Sequence, residues 1–153
     1  MTLRTTLSTV LLLGLSCTLS AMAQERGYWK PASKTAQSIT GELTFANEKL
    51  TIDFSSYAIA QIRPLKPDEV LAAFETADAT AGTGHLYRLS IPGDKRFLHK
   101  NTLCGTDDTQ WMATYVSGRS LLVDFFSGSN PPVLTFDALS NAPNLCGTFT
   151  YGR

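Results

Sequence analysis

Period-two alternation predicts an all-β domain: a compact antiparallel barrel or sandwich of about eight strands with one short helix and one disulfide. Three observations carry the prediction. Apolar and polar residues alternate in several separate segments, turn residues punctuate them, and two cysteines sit in the same tetrapeptide, LCGT. Barrel and sandwich give the same alternation, so the sequence leaves that choice open.

Met1 to Ala23 read as a cleaved signal peptide, with Arg4 at its start, an apolar run from Leu7 to Leu15 and an A-x-A site at Ala21-Met22-Ala23. The run is too short to span a bilayer comfortably, which disfavours an uncleaved anchor. Leu15-Ser16-Cys17 makes a poor lipoprotein site, because Gly14 stands where an aliphatic residue is wanted. Removing the first 23 of 153 residues leaves 130, the single domain at 24–153. A chain of that length buries roughly two thirds of its unfolded surface.

Tyr28-Trp29 fits core packing or a first strand, with an exposed sugar-stacking contact as the alternative. Strands are expected at ELTF (Leu43, Phe45), LTIDF (Leu50, Ile52, Phe54), YRLSI (Tyr87, Leu89, Ile91), WMATY (Trp111, Ala113, Tyr115), LLVDF (Leu121, Val123, Phe125) and FTY (Phe149, Tyr151). Residues 57–62 and 133–136 are weaker candidates. ANEK and Ser117-Gly118 suit hairpin loops, and residues 91–95 and 127–132 carry turn chemistry. One segment breaks the pattern: in LKPDEVLAAF, Pro67 suits a first helical turn, Asp68 and Glu69 suit the positive end of the helix dipole, and Val70, Leu71 and Phe74 fall at helical spacing. This predicts a helix over 67–75. The second face of strand 121–126 carries Leu122 and Phe126 around Asp124 and needs a cover, which the helix could supply through Phe74.

With the leader goes Cys17, leaving Cys104 and Cys146 as an even pair in an oxidising compartment. They are expected to form a disulfide. A zinc site from both cysteines with His85 and His99 lacks the short ligand spacings that mark such sites, and a catalytic cysteine with His99 as base loses its thiol on oxidation. GxSxG, HExxH and Walker patterns are missing from the sequence. No metal, cofactor or catalytic residue is therefore expected. Asp107 and Asp108 are adjacent and read as solvated, and Asp53 and Asp124 as solvent-facing or hydrogen-bonded.

Without Arg4 the balance is 12 basic against 13 acidic residues, so no strong field favours nucleic acid or an anionic membrane. After leader removal no N-x-S/T glycosylation acceptor remains, which favours bacterial export. The concentrated positive patch is Lys95, Arg96, His99 and Lys100. It reads as a solvated loop or, functionally, as a small anion site or a contact for an acidic partner surface.

The runs LYRLSIP, FLHKNTLCG, TQWMATYVSG and LCGTFTY resemble a family of small exported proteins of Gram-negative bacteria of uncharacterised function. They cover His85 to Pro92, Phe97 to Gly105, Thr109 to Gly118 and Leu145 to Tyr151. The resemblance implies export and a shared disulfide-tied β domain, and it brings no catalytic residue. The expected function is a noncatalytic periplasmic or secreted binding module, in its first version for a small apolar ligand. The alternative is an inhibitor or accessory protein docking on a cell-envelope enzyme through residues 92–100 and 127–132, and an envelope hydrolase ranks last.

Overall fold

The computed structural model describes residues 25–153; the expected signal peptide lies outside the described residues. Eight strands, β1 (Gly27–Pro31), β2 (Leu43–Ala46), β3 (Lys49–Ile52), β4 (Ser55–Pro64), β5 (Thr83–Ile91), β6 (Thr109–Ser117), β7 (Ser120–Ser127) and β8 (Leu145–Gly152), form a closed barrel in sequential order. Every neighbouring pair is antiparallel, including β8 with β1. The barrel-or-sandwich question is thereby answered.

Two strands differ from expectation. Residues 133–136 form no strand; Leu134 packs under a short helix that starts at Phe136, and the remaining strand is β1, built around Trp29. Phe54 does not continue β3. Ile52 pairs with Ser55, so Asp53-Phe54 is a two-residue turn. The other hairpins are as short: Asn47-Glu48 joins β2 to β3, and Gly118-Arg119 joins β6 to β7, with Gly118 supplying the positive φ of 57°.

The interior is filled by one side chain or more from each strand. Trp29, Leu43, Phe45, Leu50, Ile52, Ile59, Tyr87, Met112, Val123, Phe125 and Phe149 belong to a single buried cluster. An eight-stranded barrel is just wide enough for side chains to fill. The space imagined for an apolar ligand inside the barrel is thus taken up by the protein's own core.

The outer face of β5 to β7 is also apolar, and helices cover it. The expected helix is α2 (Pro67–Phe74), with Pro67 in its first turn; α1 (Lys34–Ser38) and α3 (Phe136–Ser140) add one short helix each, capped by Ser33 and Thr135 accepting from Ala36 and Ala138 backbone N–H groups. Glu69 accepts from the Lys66 backbone N–H at 2.9 Å and from both Arg63 nitrogens at 2.7 Å, fixing the start of α2 against β4. Phe74 stacks on Tyr115 with ring centres 6.2 Å apart and packs with the groups that hold Leu122 and Phe126, as the sequence required. Trp111, Ala113 and Tyr115 are therefore core residues, but of this second layer rather than of the barrel interior.

Cys104 and Cys146 are bonded, with sulfurs 1.96 Å apart and a sequence separation of 42. Cys146 occupies an irregularity in β8, where the pairing shifts between Phe125↔Gly147 and Phe126↔Leu145. Cys104 lies in the β5–β6 connection, and Gly105 after it turns through a φ of 65°. The bond ties this connection to the start of the last strand. Reducing it, or replacing Cys146 with Ser, should lower unfolding stability by about 3–4 kcal/mol, seen as a lower urea midpoint. Residues 24–153, which carry no cysteine besides Cys104 and Cys146, should take up no thiol reagent when unfolded without reductant.

Candidate functional site

An up-and-down barrel puts alternate connections at opposite ends. One end here carries the α1 connection, the Asp53-Phe54 turn, residues 92–108 and residues 128–144; the other carries residues 47–48, α2 and residues 118–119.

The first end holds the predicted basic residues. Lys95 donates to the Ser55 hydroxyl at 2.8 Å and stands 5.7 Å over the Phe97 ring. His99 Nδ1 lies 3.2 Å from the Ser38 carbonyl, which also accepts from Asn101 at 3.0 Å. His99 and Lys100 both have left-handed backbones, with φ of 53° and 63°, and Arg96, His99 and Lys100 are exposed. Lys95 is thus drawn to the β3–β4 turn and His99 to the end of α1. Asp108 accepts from the Gly93 backbone N–H at 2.9 Å and shapes the same connection, whereas Asp107 is exposed.

Beside them is a residue that sequence reasoning placed in a strand. Phe54 is 98% exposed, and both turn residues have positive φ, 44° at Asp53 and 63° at Phe54. Such a turn favours Asp-Gly; a bulky side chain in the left-handed region costs roughly 1 kcal/mol or more. The alternation Leu50, Ile52, Phe54 hid the turn. A recess of about 460 Å³ adjoins the ring, walled by Tyr28, Glu42, Asp53 and Leu98 among others.

The opposite mouth is closed by a polar cluster. Glu25 is 3% exposed; its Oε1 lies 2.7 Å from His85 Nδ1 and accepts from the Thr114 hydroxyl at 2.7 Å. Burial pushes the Glu25 carboxyl up, but the hydrogen bonds from His85 and Thr114 and the His85 charge outweigh it and leave the group below the ordinary glutamate range. Burial, with the Glu25 charge, raises the Tyr87 phenol above its ordinary range. The carboxylate sits between Thr114 and the imidazole, unlike a nucleophilic triad, where the imidazole is the bridge. Next to it only a small cavity of about 40 Å³ remains. His85 lies at this end and His99 at the other, while both cysteines are bonded to each other. Among the described residues no three His, Cys, Asp or Glu side chains are placed to hold a metal ion.

A third feature corrects the reading of Asp124 as solvent-facing or hydrogen-bonded. Asp124 is fully buried on the outer face of β7, opposite Ala113 and Thr148; neither carboxyl oxygen makes a hydrogen bond of good geometry, and the Thr148 hydroxyl is the neighbouring donor that acts on it. It lies in the apolar outer layer between Leu122 and Phe126. Burial pushes its carboxyl from 3.8 up to about 7, with the neighbouring Thr148 hydroxyl opposing.

Fold and sites together define a closed eight-stranded up-and-down barrel with a packed interior and decorated ends. No family model, no curated protein and no solved structure matches this chain. Among the described residues no helix is long and apolar enough to cross a membrane.

The folded state holds the Asp124 proton more tightly than the unfolded chain does. This group's contribution is complete below about pH 4 and is lost as pH rises through about 7, up to about 4 kcal/mol in all. Asp124→Asn should remove that dependence and exceed the wild type in stability at about pH 8, as read by denaturant melts across pH. Glu25→Ala, by contrast, leaves the His85 ring buried without its partner and Thr114 with only the 3.4 Å bond to the His85 carbonyl, and should cost about 2–4 kcal/mol in the same melts.

Proposed function

We propose that the protein is an exported, noncatalytic binding module that docks on a cell-envelope protein through the barrel end bearing Phe54. The observation that carries this reading is the Phe54 ring itself, 98% exposed and held in a backbone conformation that disfavours it. The strained turn is a cost to the free protein that a contact made by the ring on binding would offset. The partner has an apolar pocket for the ring and acidic groups for Arg96, Lys95 and Lys100. A protein suits this end better than a lipid surface does, because the recess beside the ring carries Glu42 and Asp53, which repel anionic headgroups and call for a shaped counterpart.

Residues 92–100 and 127–132, the loops expected to dock, belong to connections at this same end, which further supports the reading. The filled interior weighs against a ligand held within the barrel. Export is supported by the sequence leader and fits the disulfide, which persists in oxidising compartments.

Phe54→Gly separates stability from binding. The variant should gain roughly 1 kcal/mol, a rise of a few degrees in melting temperature, because glycine adopts the left-handed turn freely. It should lose most of the stoichiometric partner that immobilised wild type retains from an envelope extract. Retention of the same partner by both proteins would overturn the docking surface. Lys95→Glu with Lys100→Glu should weaken capture and flatten its salt dependence.

A further inference from the structure

On the outer side of the barrel, a groove of about 560 Å³ runs between α2 and α3, within the size range of small-molecule sites. Phe74, Leu139 and Leu145 give it apolar walls, and Glu75 and Asp137 stand along it. Among the described residues no lysine, arginine or histidine lines it. Thr148 lines it as well, and in the sheet Thr148 is directly opposite Asp124.

The alternation of β7 fixes where Asp124 points. Leu121, Val123 and Phe125 belong to the barrel interior, so Asp124 projects outward between Leu122 and Phe126; it does not line the groove itself but stands next to Thr148, which does. Among the described residues neither of its oxygens makes a hydrogen bond of good geometry, with only the rotatable Thr148 hydroxyl beside them, and the indole Nε1 of Trp111, diagonal to it on the same face, has no partner at all. A buried carboxylate without a partner costs several kcal/mol, which a fold built for stability alone would not carry.

The nearby cations are already engaged. Arg88 lies 4.9 Å over the Trp111 ring and donates to the Gln110 backbone and side-chain oxygens, and Arg63 is held by both oxygens of Glu69. The charged groups that the two helices turn to the groove, Glu75 and Asp137, are negative. Attraction for a positive ligand is therefore uncompensated here.

We propose that this groove binds a small amphipathic cation, an apolar body carrying one ammonium group, with the Asp124 carboxylate as its counter-charge. The apolar body lies along Phe74, Leu139 and Leu145. The ammonium enters at Thr148, which is exposed, and side-chain rotation at Thr148 and half-buried Phe74 uncovers the carboxyl without moving the sheet. Glu75 and Asp137 raise the local concentration of cations but stay hydrated, and the buried charge supplies the selectivity.

The test compares 2-phenylethylamine with neutral 2-phenylethanol, which matches it in shape, by NMR titration at about pH 8, where Asp124 is ionised. The amine is expected to bind at least about tenfold more tightly, shifting resonances of Phe74, Leu145 and Thr148. Asp124→Asn should reduce the amine to the level of the alcohol while leaving alcohol binding unchanged. Glu75→Gln with Asp137→Asn should leave most of the preference in place. Equal binding of the two compounds, binding of neither, or a preference that survives in Asp124→Asn would overturn the proposal. The Asn variant is expected to fold at least as stably as the wild type, so lost binding cannot be put down to unfolding.

Discussion

Eight strands make a barrel only if the first meets the last, and here that seam is short. β1 and β8 pair through Lys30↔Gly152 and Pro31↔Tyr151. The connection that follows β1 extends the closure: Ala32 and Ser33 donate to the Thr150 carbonyl, the Thr150 N–H returns to the Ser33 hydroxyl, and Thr40 bonds the Tyr151 phenol at 2.6 Å. Trp29, fully buried, packs beneath, with Arg153 stacked 3.9 Å over its ring. Closing the sheet removes the exposed edges that would otherwise invite pairing with other chains.

Closure also divides the molecule into layers. Inward side chains exhaust the interior, because an eight-stranded barrel holds little more than its own core. The apolar outward residues of β5 to β7 must then be covered from outside, and α2 and α3 do so. Two kinds of place remain where ligands or partners can act: the ends of the barrel and the seams between barrel and helices. Glu25, His85 and Thr114 close one end with a satisfied polar cluster. The other end is left with an unprotected aromatic ring, and the helical seam with an unsatisfied carboxyl.

These last two features depart from what stability prefers, in different ways. Phe54 places apolar surface in water on a strained turn; Asp124 places a carboxyl in an apolar layer without a hydrogen bond of good geometry. Each sits beside a recess large enough for another molecule. The disulfide offsets part of such costs, since joining Cys104 to Cys146 reduces the freedom of the unfolded chain. It also anchors the long β5–β6 connection that carries the basic residues at the Phe54 end.

Local pattern was enough for the β class, the six clearly alternating segments, the helix starting at Pro67 and the pairing of the cysteines, because side-chain period, proline geometry and thiol chemistry act over a few residues or follow from composition. It also required a cover over Leu122 and Phe126. The errors came where one pattern served two structures. Leu50, Ile52 and Phe54 kept strand spacing through a turn, and residues 133–136 were apolar without being paired. Closure, the meeting of Glu25 with His85 and Thr114 across 60 and 89 residues, and the burial of Asp124 were decided by the tertiary structure alone. Strand periodicity says that a residue points away from its neighbours; only the folded chain determines whether water, a helix or another strand stands on that side.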